Sequence, residues 1–179
     1  MNGCANGIPE KFQIYFFLAL IDMSTQHHYN LTVQWTGNNG TGTSAYKAYE
    51  RSHTILIENK MPIAASSDPV FRGDKQKHNP EDLFVASVSS CHMLWYLHLC
   101  AVAGVVVTDY VDTVSATMLE DSNGGRFTEI ILSPLVTLAS VSMKEQAMAL
   151  HKKANELCYI ANSLNFPVQH QPRFEIAGG

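Results

Sequence analysis

The sequence predicts a single α+β domain, and three observations lead to that class. A segment without formal charge runs from Leu83 to Thr108 behind helix-start signals, and two β-branched runs flank a Ser-Asn-Gly-Gly turn. A further segment near the C-terminus places apolar residues at helical spacing. The 179 residues suffice for one sizeable core. Only 16% of them are charged, which indicates that much surface is hidden, as in an oligomer.

The N-terminal half predicts two strands. Residues 28–36 alternate apolar and polar side chains like a half-buried strand, and residues 53–58 give a second strand. The Gly/Asn/Thr loop 36–44 between them is no phosphate cradle, because no lysine follows in register. Residues 61–78 are predicted to form a polar connection.

Residues 1–22 are interpreted as an N-terminal extension before a single domain at residues 23–179. The apolar run 12–21 spans only ten residues, Lys11 is balanced by Glu10, and no small-residue cleavage site follows. We expect either a non-native start, with Met23 as the natural first residue, or an appended segment packing on the domain. A signal peptide is the alternative.

The uncharged segment predicts a long helix. Asn79 is a suitable N-cap, Pro80 takes the first helical position, Asp82 lies three residues after the cap, and Gly104 provides a stop. The segment is long enough to span a bilayer, but its serines, its capping residues and the strand-like run after it favour a core helix. A helix about 36 Å long exceeds what one small domain covers, so we expect a dimer with this helix at its centre.

The remaining elements are a hairpin, a second helix and a strand. The β-branched runs around residues 122–125 predict a long hairpin, and Pro134 breaks its second run, which implies an edge or a bulge there. Ser142 and Glu145 match a capping box that opens a helix whose apolar stripe continues to Leu164. Residues 167–177 predict a last strand.

Composition excludes several classes of function. The net charge is −4 and the basic residues are scattered, which disfavours nucleic-acid binding. The four cysteines form no C-x-x-C pair, so neither zinc nor a secreted disulfide scaffold is expected, and free thiols fit a reducing cytoplasm. His98 lies seven residues from Cys91, about 10.5 Å along a helix, and His92 points away from that cysteine, so no metal site is predicted.

The cysteines leave several pairings open. Cys91 and Cys100 are nine residues apart and point to opposite faces of one helix, so they cannot bond to each other. Cys158, on the stripe of the second helix, faces the core and is open to either partner. All three also suit simple packing, which we expect for Cys100.

Two segments carry a family resemblance. NPEDLFVASVSSCHM, with its cysteine ten residues after the glutamate, and ANELCYIANSL together resemble the OsmC/Ohr family. The resemblance implies an intertwined α+β homodimer with curled antiparallel sheets around a long buried central helix. It also implies reduction of organic or inorganic hydroperoxides in oxidative stress defence, by a two-cysteine cycle without haem, flavin or metal.

The resemblance also implies roles for residues. Cys91 would be the peroxidatic cysteine, Cys158 the resolving cysteine and Glu81 the carboxylate that holds an activating arginine, for which Arg72 is the first match and Arg51 the rival. Family members usually have proline after the resolving cysteine, where this chain has a tyrosine at position 159.

Physical constraints bear on these roles. A thiolate in an apolar helix requires a nearby cation. Glu81 precedes Cys91 by ten residues, roughly 15 Å along one helix, so we expect a composite site with the Glu–Arg pair contributed by the other subunit. Phe84, Val88 and Trp95 follow helical spacing around Cys91 and are predicted to line a pocket for organic hydroperoxides, although dimer packing explains each one equally well.

The sequence thus predicts a cytoplasmic thiol-dependent peroxidase, a homodimer that acts on a hydroperoxide and is recycled by a small dithiol or a dithiol protein. It predicts neither nucleic acid nor membrane as a partner. The alternative is a non-catalytic dimeric ligand-binding or stress protein on the same fold. A hydrolase such as a thioesterase is disfavoured, because no Ser-His-Asp order is visible.

Overall fold

Three small sheets and two α-helices make up residues 25–122 and 124–178, the part of the chain that the computed structural model describes. The strands are β1 Thr32–Trp35, β2 His53–Leu56, β3 Ile63–Ala65, β4 Val107–Asp112, β5 Ser115–Asp121, β6 Gly124–Leu132, β7 Pro134–Leu138, β8 Val168–His170 and β9 Arg173–Ile176. The helices are α1 Pro80–Val102 and α2 Lys144–Leu157. This confirms the predicted α+β class. The predicted extension, residues 1–22, lies outside the described residues.

The N-terminal sheet has the antiparallel order β1-β2-β3. All four residues of β1 are exposed, so the alternation of the sequence does not bury either face of this strand within one chain. Strand β3 was not predicted, because three residues are too few to show a period of two within a polar connection.

The predicted long hairpin is confirmed, with a bend in its middle. Strand β5 pairs with β6 next to the turn, and β4 pairs with β7 beyond the bend. Pro134 opens β7 opposite Asp112, where the ladder changes from one sheet to the next. Proline has no N–H to donate, so a strand end is where it fits.

The predicted last strand is divided in two. Strand β8 runs parallel to β6 and β9 parallel to β7, so the C-terminal segment follows the hairpin across its bend. Gln171 and Pro172 lie between the two strands, and the proline accounts for the interruption.

The boundaries of α1 agree with the prediction. Asp82 N–H donates to Asn79 Oδ1 over 2.7 Å, the reciprocal bond completes a capping box, and Gly104 follows the helix with φ of 73°. Its buried residues form one stripe, Val88, His92, Tyr96 and Cys100. The opposite side is open in the single chain, with Leu94 64% exposed.

Within the described residues α1 alone is long and apolar enough to cross a membrane by length and composition. Its buried stripe packs against α2 and two sheets, and 22% of its apolar window is buried within the single chain.

The start predicted for α2 is wrong. Ser140, rather than Ser142, accepts a backbone N–H at the N-cap of a short 3₁₀ turn, Val141–Met143, and α2 begins after it at Lys144. The helix also ends at Leu157, before Leu164, which leaves Cys158 as the C-cap residue.

Two apolar clusters lie along α1. One surrounds Val88 and contains Ile130, Leu132 and Val168. The other surrounds Tyr96 and contains Cys100 with residues of β7 and α2. Cys91 lies between Val88 and Tyr96 in the helix and therefore between the two clusters, at the level where α1 meets the C-terminal end of α2.

Candidate active site

The fold brings Cys91 and Cys158 together. Cys91 is in the middle of α1 and partly exposed, whereas Cys158 caps the end of α2 and has no exposed surface. Both are free thiols, and the two side chains are neighbours, since the Cys91 side chain helps to raise the pKa of the Cys158 thiol. Of the two pairings left open by the sequence, the structure therefore places Cys158 with Cys91.

The Cys158 sulfur lies at the start of a 3₁₀ turn, Ala161–Ser163. The backbone N–H of Ala161 donates to this sulfur over 3.4 Å, and the backbone of Ile160 donates as well. Burial and the adjacent Cys91 side chain nevertheless raise the pKa of Cys158 to about 11. The backbone donors oppose that rise and offer negative charge on the sulfur a partial stabilisation.

Cys100 is separate from this pair. It is 1% exposed, belongs to the cluster around Tyr96, and burial raises the pKa of its thiol. The expectation that Cys100 packs in the core is confirmed.

Glu81 lies in the first turn of α1, far along the helix from Cys91. It lines a groove of about 640 Å³ together with Ser89, Tyr110 and Asp112, and Cys91 does not line this groove. One oxygen of Glu81, Oε2, is buried and has no hydrogen-bond partner in the described part of the chain. A buried carboxylate oxygen without a donor is costly, so a cation or a donor that the described residues do not supply would stabilise this position.

The two candidate arginines flank the same tyrosine. The guanidinium of Arg51 lies 4.4 Å from the ring of Tyr46 and 4.2 Å from that of Tyr49, and its Nη1 donates to the carbonyl of Tyr49 over 2.7 Å. Arg72 is exposed, ends a short 3₁₀ helix with φ of 67°, and lies 5.9 Å from the ring of Tyr46.

Neither arginine reaches Glu81 within one chain. Among residues 25–122 and 124–178 the ion pairs join Lys77 to Asp74 and Lys153 to Glu156. Arg51 Nη2 is buried without a partner, as is Glu81 Oε2. The choice between Arg72 and Arg51 as the activating arginine stays a prediction.

The model of the OsmC-like protein family matches residues 73–173, more than half of the chain. The chain belongs to the OsmC family. No curated protein matches it. An OsmC-like protein of unknown function from Vibrio cholerae is 28% identical, with a TM-score of 0.75 over 83% of this chain and 100% of that one.

Two organic hydroperoxide resistance proteins share the fold at lower identity. The protein from Elizabethkingia anophelis is 19% identical, with a TM-score of 0.64 over 86% of this chain and 100% of that one. OhrB of Bacillus subtilis is 17% identical, with a TM-score of 0.55 over 82% and 98%.

The predicted substrate-binding residues of this OsmC family member lie in different surroundings. Phe84 is partly buried and stacks on Phe127 with ring centroids 4.9 Å apart. Val88 is fully buried in the cluster that it shares with Ile130 and Leu132. Trp95 is partly buried against Tyr159. Substrate binding by all three stays a prediction.

A buried histidine cluster was missed by the sequence reasoning. His92 of α1 and His151 of α2 are 1% and 3% exposed, and the ring of His170 in β8 lies 4.3 Å from that of His92. Tyr96 stacks on His151 at 3.8 Å. The signal that could have indicated this cluster is the position of His92 on the buried stripe of α1 and of His151 on that of α2, four residues after Ala147.

Burial lowers the pKa of these histidines, to about 3 for His92 and about 4 for His151, and the neighbouring His170 adds to both effects. The pKa of His170 is also lowered by burial, and Asp112 opposes that shift. The cluster is therefore neutral at physiological pH. No group of three or more His, Cys, Asp or Glu within the described residues has the geometry to hold a metal ion.

Proposed function

We propose that the protein is a thiol-dependent peroxidase that reduces organic hydroperoxides through a two-cysteine cycle. The observation that carries the proposal is the pairing of Cys91 with Cys158, two free thiols brought from different elements to one place. Membership of the OsmC family and the fold shared with hydroperoxide resistance proteins support a role in peroxide metabolism.

In the first step, the thiolate of Cys91 attacks one oxygen of the hydroperoxide. The O–O bond breaks, a sulfenic acid forms on Cys91, and the leaving alkoxide takes a proton to become an alcohol. Cys91 suits this role because it is the partly exposed member of the pair. A hydroperoxide reaches it without passing the fully buried Cys158.

In the second step, the thiolate of Cys158 attacks the sulfenic sulfur of Cys91. The S–O bond breaks, water leaves, and a disulfide joins α1 to the end of α2. The N–H groups of residues 160 and 161 stabilise the attacking thiolate. A small dithiol or a dithiol protein then reduces the disulfide, as suits free thiols in a reducing cytoplasm.

The cation for the Cys91 thiolate comes from an arginine held by Glu81 in a homodimer. Glu81 Oε2 and Arg51 Nη2 are each buried and unpartnered within one described chain, which supports a pair formed between subunits. Arg51 also has its guanidinium plane fixed by two tyrosine rings, whereas Arg72 is exposed. We therefore favour Arg51 over Arg72.

The open side of α1 supports the same homodimer. Leu94 and Val102 are 64% and 51% exposed on a helix without formal charge after Asp82, and all four residues of β1 are exposed as well. A second copy that covers these surfaces removes apolar area from water.

Peroxide consumption in the presence of dithiothreitol tests the function, with cumene hydroperoxide compared with hydrogen peroxide. Cys91→Ser should abolish turnover, and Cys158→Ser should allow one turnover and leave a sulfenate that dimedone traps. Cys100→Ala is the matched control, because this core cysteine lies outside the pair. Wild-type rates in both Cys91→Ser and Cys158→Ser would contradict the proposal and favour a non-catalytic ligand-binding role.

A further inference from the structure

A pair of aromatic rings lies beside the pair of thiols. Trp95 and Tyr159 meet edge to face, with ring centroids 5.7 Å apart and planes at 86°. Trp95 is one helical turn after Cys91 in α1, and Tyr159 directly follows Cys158. Helix α1 and the segment that follows α2 are thus in contact at two neighbouring positions, once through the thiols and once through the rings.

We propose that Tyr159 is a positioning residue, which packs against Trp95 and so keeps the segment 158–163 docked on α1 with Cys158 in reach of Cys91. The proposal deepens the peroxidase function above and uses its second step. The residue that directly follows Cys158 in this chain is thus a large aromatic one.

The segment needs such an attachment because the helix ends before it. Cys158 is the C-cap residue, with ψ of 110°, so the regular hydrogen bonds of α2 no longer hold the chain beyond it. Within the segment, Asn162 N–H donates to the carbonyl of Cys158 and the hydroxyl of Ser163 to that of Tyr159. The side chain of Asn162 also donates to the carbonyl of Glu156 over 3.1 Å, which ties the turn to the end of α2. None of these bonds ties the turn to α1.

The ring of Tyr159 is suited to this task. The residue is 65% exposed, so its ring is not a core element whose loss would collapse the fold. Trp95, by contrast, is partly buried and packs against the cluster around Tyr96, so its ring is held in place where Tyr159 contacts it. Ile160 and Ala161 also help to dock the turn, because they pack against the cluster around Val88.

The chemical consequence lies in the second step. The Cys158 thiolate forms the S–S bond with the sulfenic sulfur of Cys91, the S–O bond breaks, and the released hydroxide joins the proton given up by Cys158 to leave as water. The rate depends on the fraction of molecules in which the turn is docked. An edge-to-face pair shifts such an equilibrium by about three- to tenfold.

The first test measures the Cys91–Cys158 disulfide directly, without any peroxide. Wild type, Tyr159→Phe and Tyr159→Ala are equilibrated with mixtures of reduced and oxidised dithiothreitol, and the disulfide is quantified after alkylation. The equilibrium constant should fall about three- to tenfold in Tyr159→Ala and be retained in Tyr159→Phe, which keeps the ring. Equal constants in all three proteins would overturn the proposal.

A double-mutant cycle identifies the partner ring. Trp95→Leu should lower the same constant, and Tyr159→Ala should have no further effect in its presence, since both changes remove one contact. Met148→Ala, on an exposed position of α2, is the control and should leave the constant unchanged. Additive effects of Trp95→Leu and Tyr159→Ala would mean that the rings act independently, against the proposal.

The kinetic arm separates this inference from the peroxidase itself. With cumene hydroperoxide, Tyr159→Ala should form the Cys91 sulfenate at the wild-type rate and convert it to disulfide about three- to tenfold more slowly. A slower first step with an unchanged second step would refute the positioning role while leaving the peroxidase intact. A wild-type protein that forms no sulfenate would refute the peroxidase, and the dithiothreitol equilibrium would still decide the role of Tyr159.

Discussion

His92 and His151 face each other across the contact of the two helices, with Nε2 of His92 3.0 Å from Nδ1 of His151. One ring must donate and the other accept, so the pair requires at least one neutral imidazole. The remaining nitrogens, His92 Nδ1 and His151 Nε2, are buried without a partner among the described residues. The contact of α2 with α1 thus contains a polar pair beside the apolar cluster around Tyr96, and this pair depends on the protonation state of the histidines.

We expect acid to weaken the fold through this cluster. The folded protein keeps the pKa of His92 at about 3 and that of His151 at about 4, whereas the ordinary value is 6.5. Below pH 6.5 the unfolded chain therefore binds more protons, and the free energy of unfolding falls as pH falls towards 4. Each histidine contributes a slope of at most about 1.4 kcal/mol per pH unit.

Urea unfolding between pH 7.5 and 4.5 measures that slope. His151→Gln removes one titrating ring and should make the slope shallower. Val88→Ala is the control: it creates a core cavity that should cost about 1–3 kcal/mol at every pH and leave the slope unchanged. A wild-type stability that does not change over this range would refute the prediction.

The capping box of α1 should contribute measurably to stability. Asn79 is 7% exposed, and its side chain accepts the Asp82 N–H over 2.7 Å. Asn79→Ala should lower the free energy of unfolding by about 1 kcal/mol, and Asn79→Asp, which keeps the acceptor, should lower it less. Asn39→Ala, in an exposed loop, serves as the control. Equal denaturation midpoints for Asn79→Ala and wild type would contradict the assignment.

Sequence reasoning succeeded where the determinants are local. The capping box at Asn79 and the stop at Gly104 each depend on a few adjacent residues, and the structure confirms both. The edge or bulge predicted at Pro134 is wrong, because this proline opens β7, the middle strand of its sheet, without a register shift beside it. Strand β3 is too short to show a period, and the box predicted at Ser142 failed because Ser140, two residues earlier, caps a competing 3₁₀ turn.

Less of the candidate site than of the local fold signals could be predicted from the sequence. Helical spacing left Cys158 open to either Cys91 or Cys100, and three-dimensional packing decides for Cys91. The histidine cluster joins residues of α1, α2 and β8, and spacing within one element cannot predict a contact among three. The composite arrangement around Glu81 depends on a second subunit and stays a prediction.

Resolution of the sulfenate should accelerate with pH. Because burial raises the pKa of Cys158 to about 11, its thiolate is a small fraction near neutrality and grows about tenfold per pH unit below that value. The conversion of sulfenate to disulfide, followed by stopped-flow Trp95 fluorescence in a Trp35→Phe background, should show this rise between pH 6.5 and 9. Cys158→Ser should lack the phase entirely. A rate that is flat across this range would show that deprotonation of Cys158 does not limit the step.

The composite site makes a prediction that mixing subunits can test. Cys91→Ser and Arg51→Ala homodimers should each be inactive. If the arginine acts on the cysteine of the other subunit, a mixed dimer contains one intact site, formed by Cys91 of one chain and Arg51 of its partner. Random exchange of equal amounts should then recover about a quarter of wild-type activity, because half of the dimers are mixed and each has one of two sites.

Arg72→Ala in place of Arg51→Ala tests the rival arginine by the same recovery. The matched control mixes Cys91→Ser with Cys158→Ser, whose residues pair within one chain, so it should recover nothing. No recovery with either arginine variant would place the activating cation within the same subunit as its cysteine. Recovery in the control would show that Cys91 and Cys158 pair between subunits.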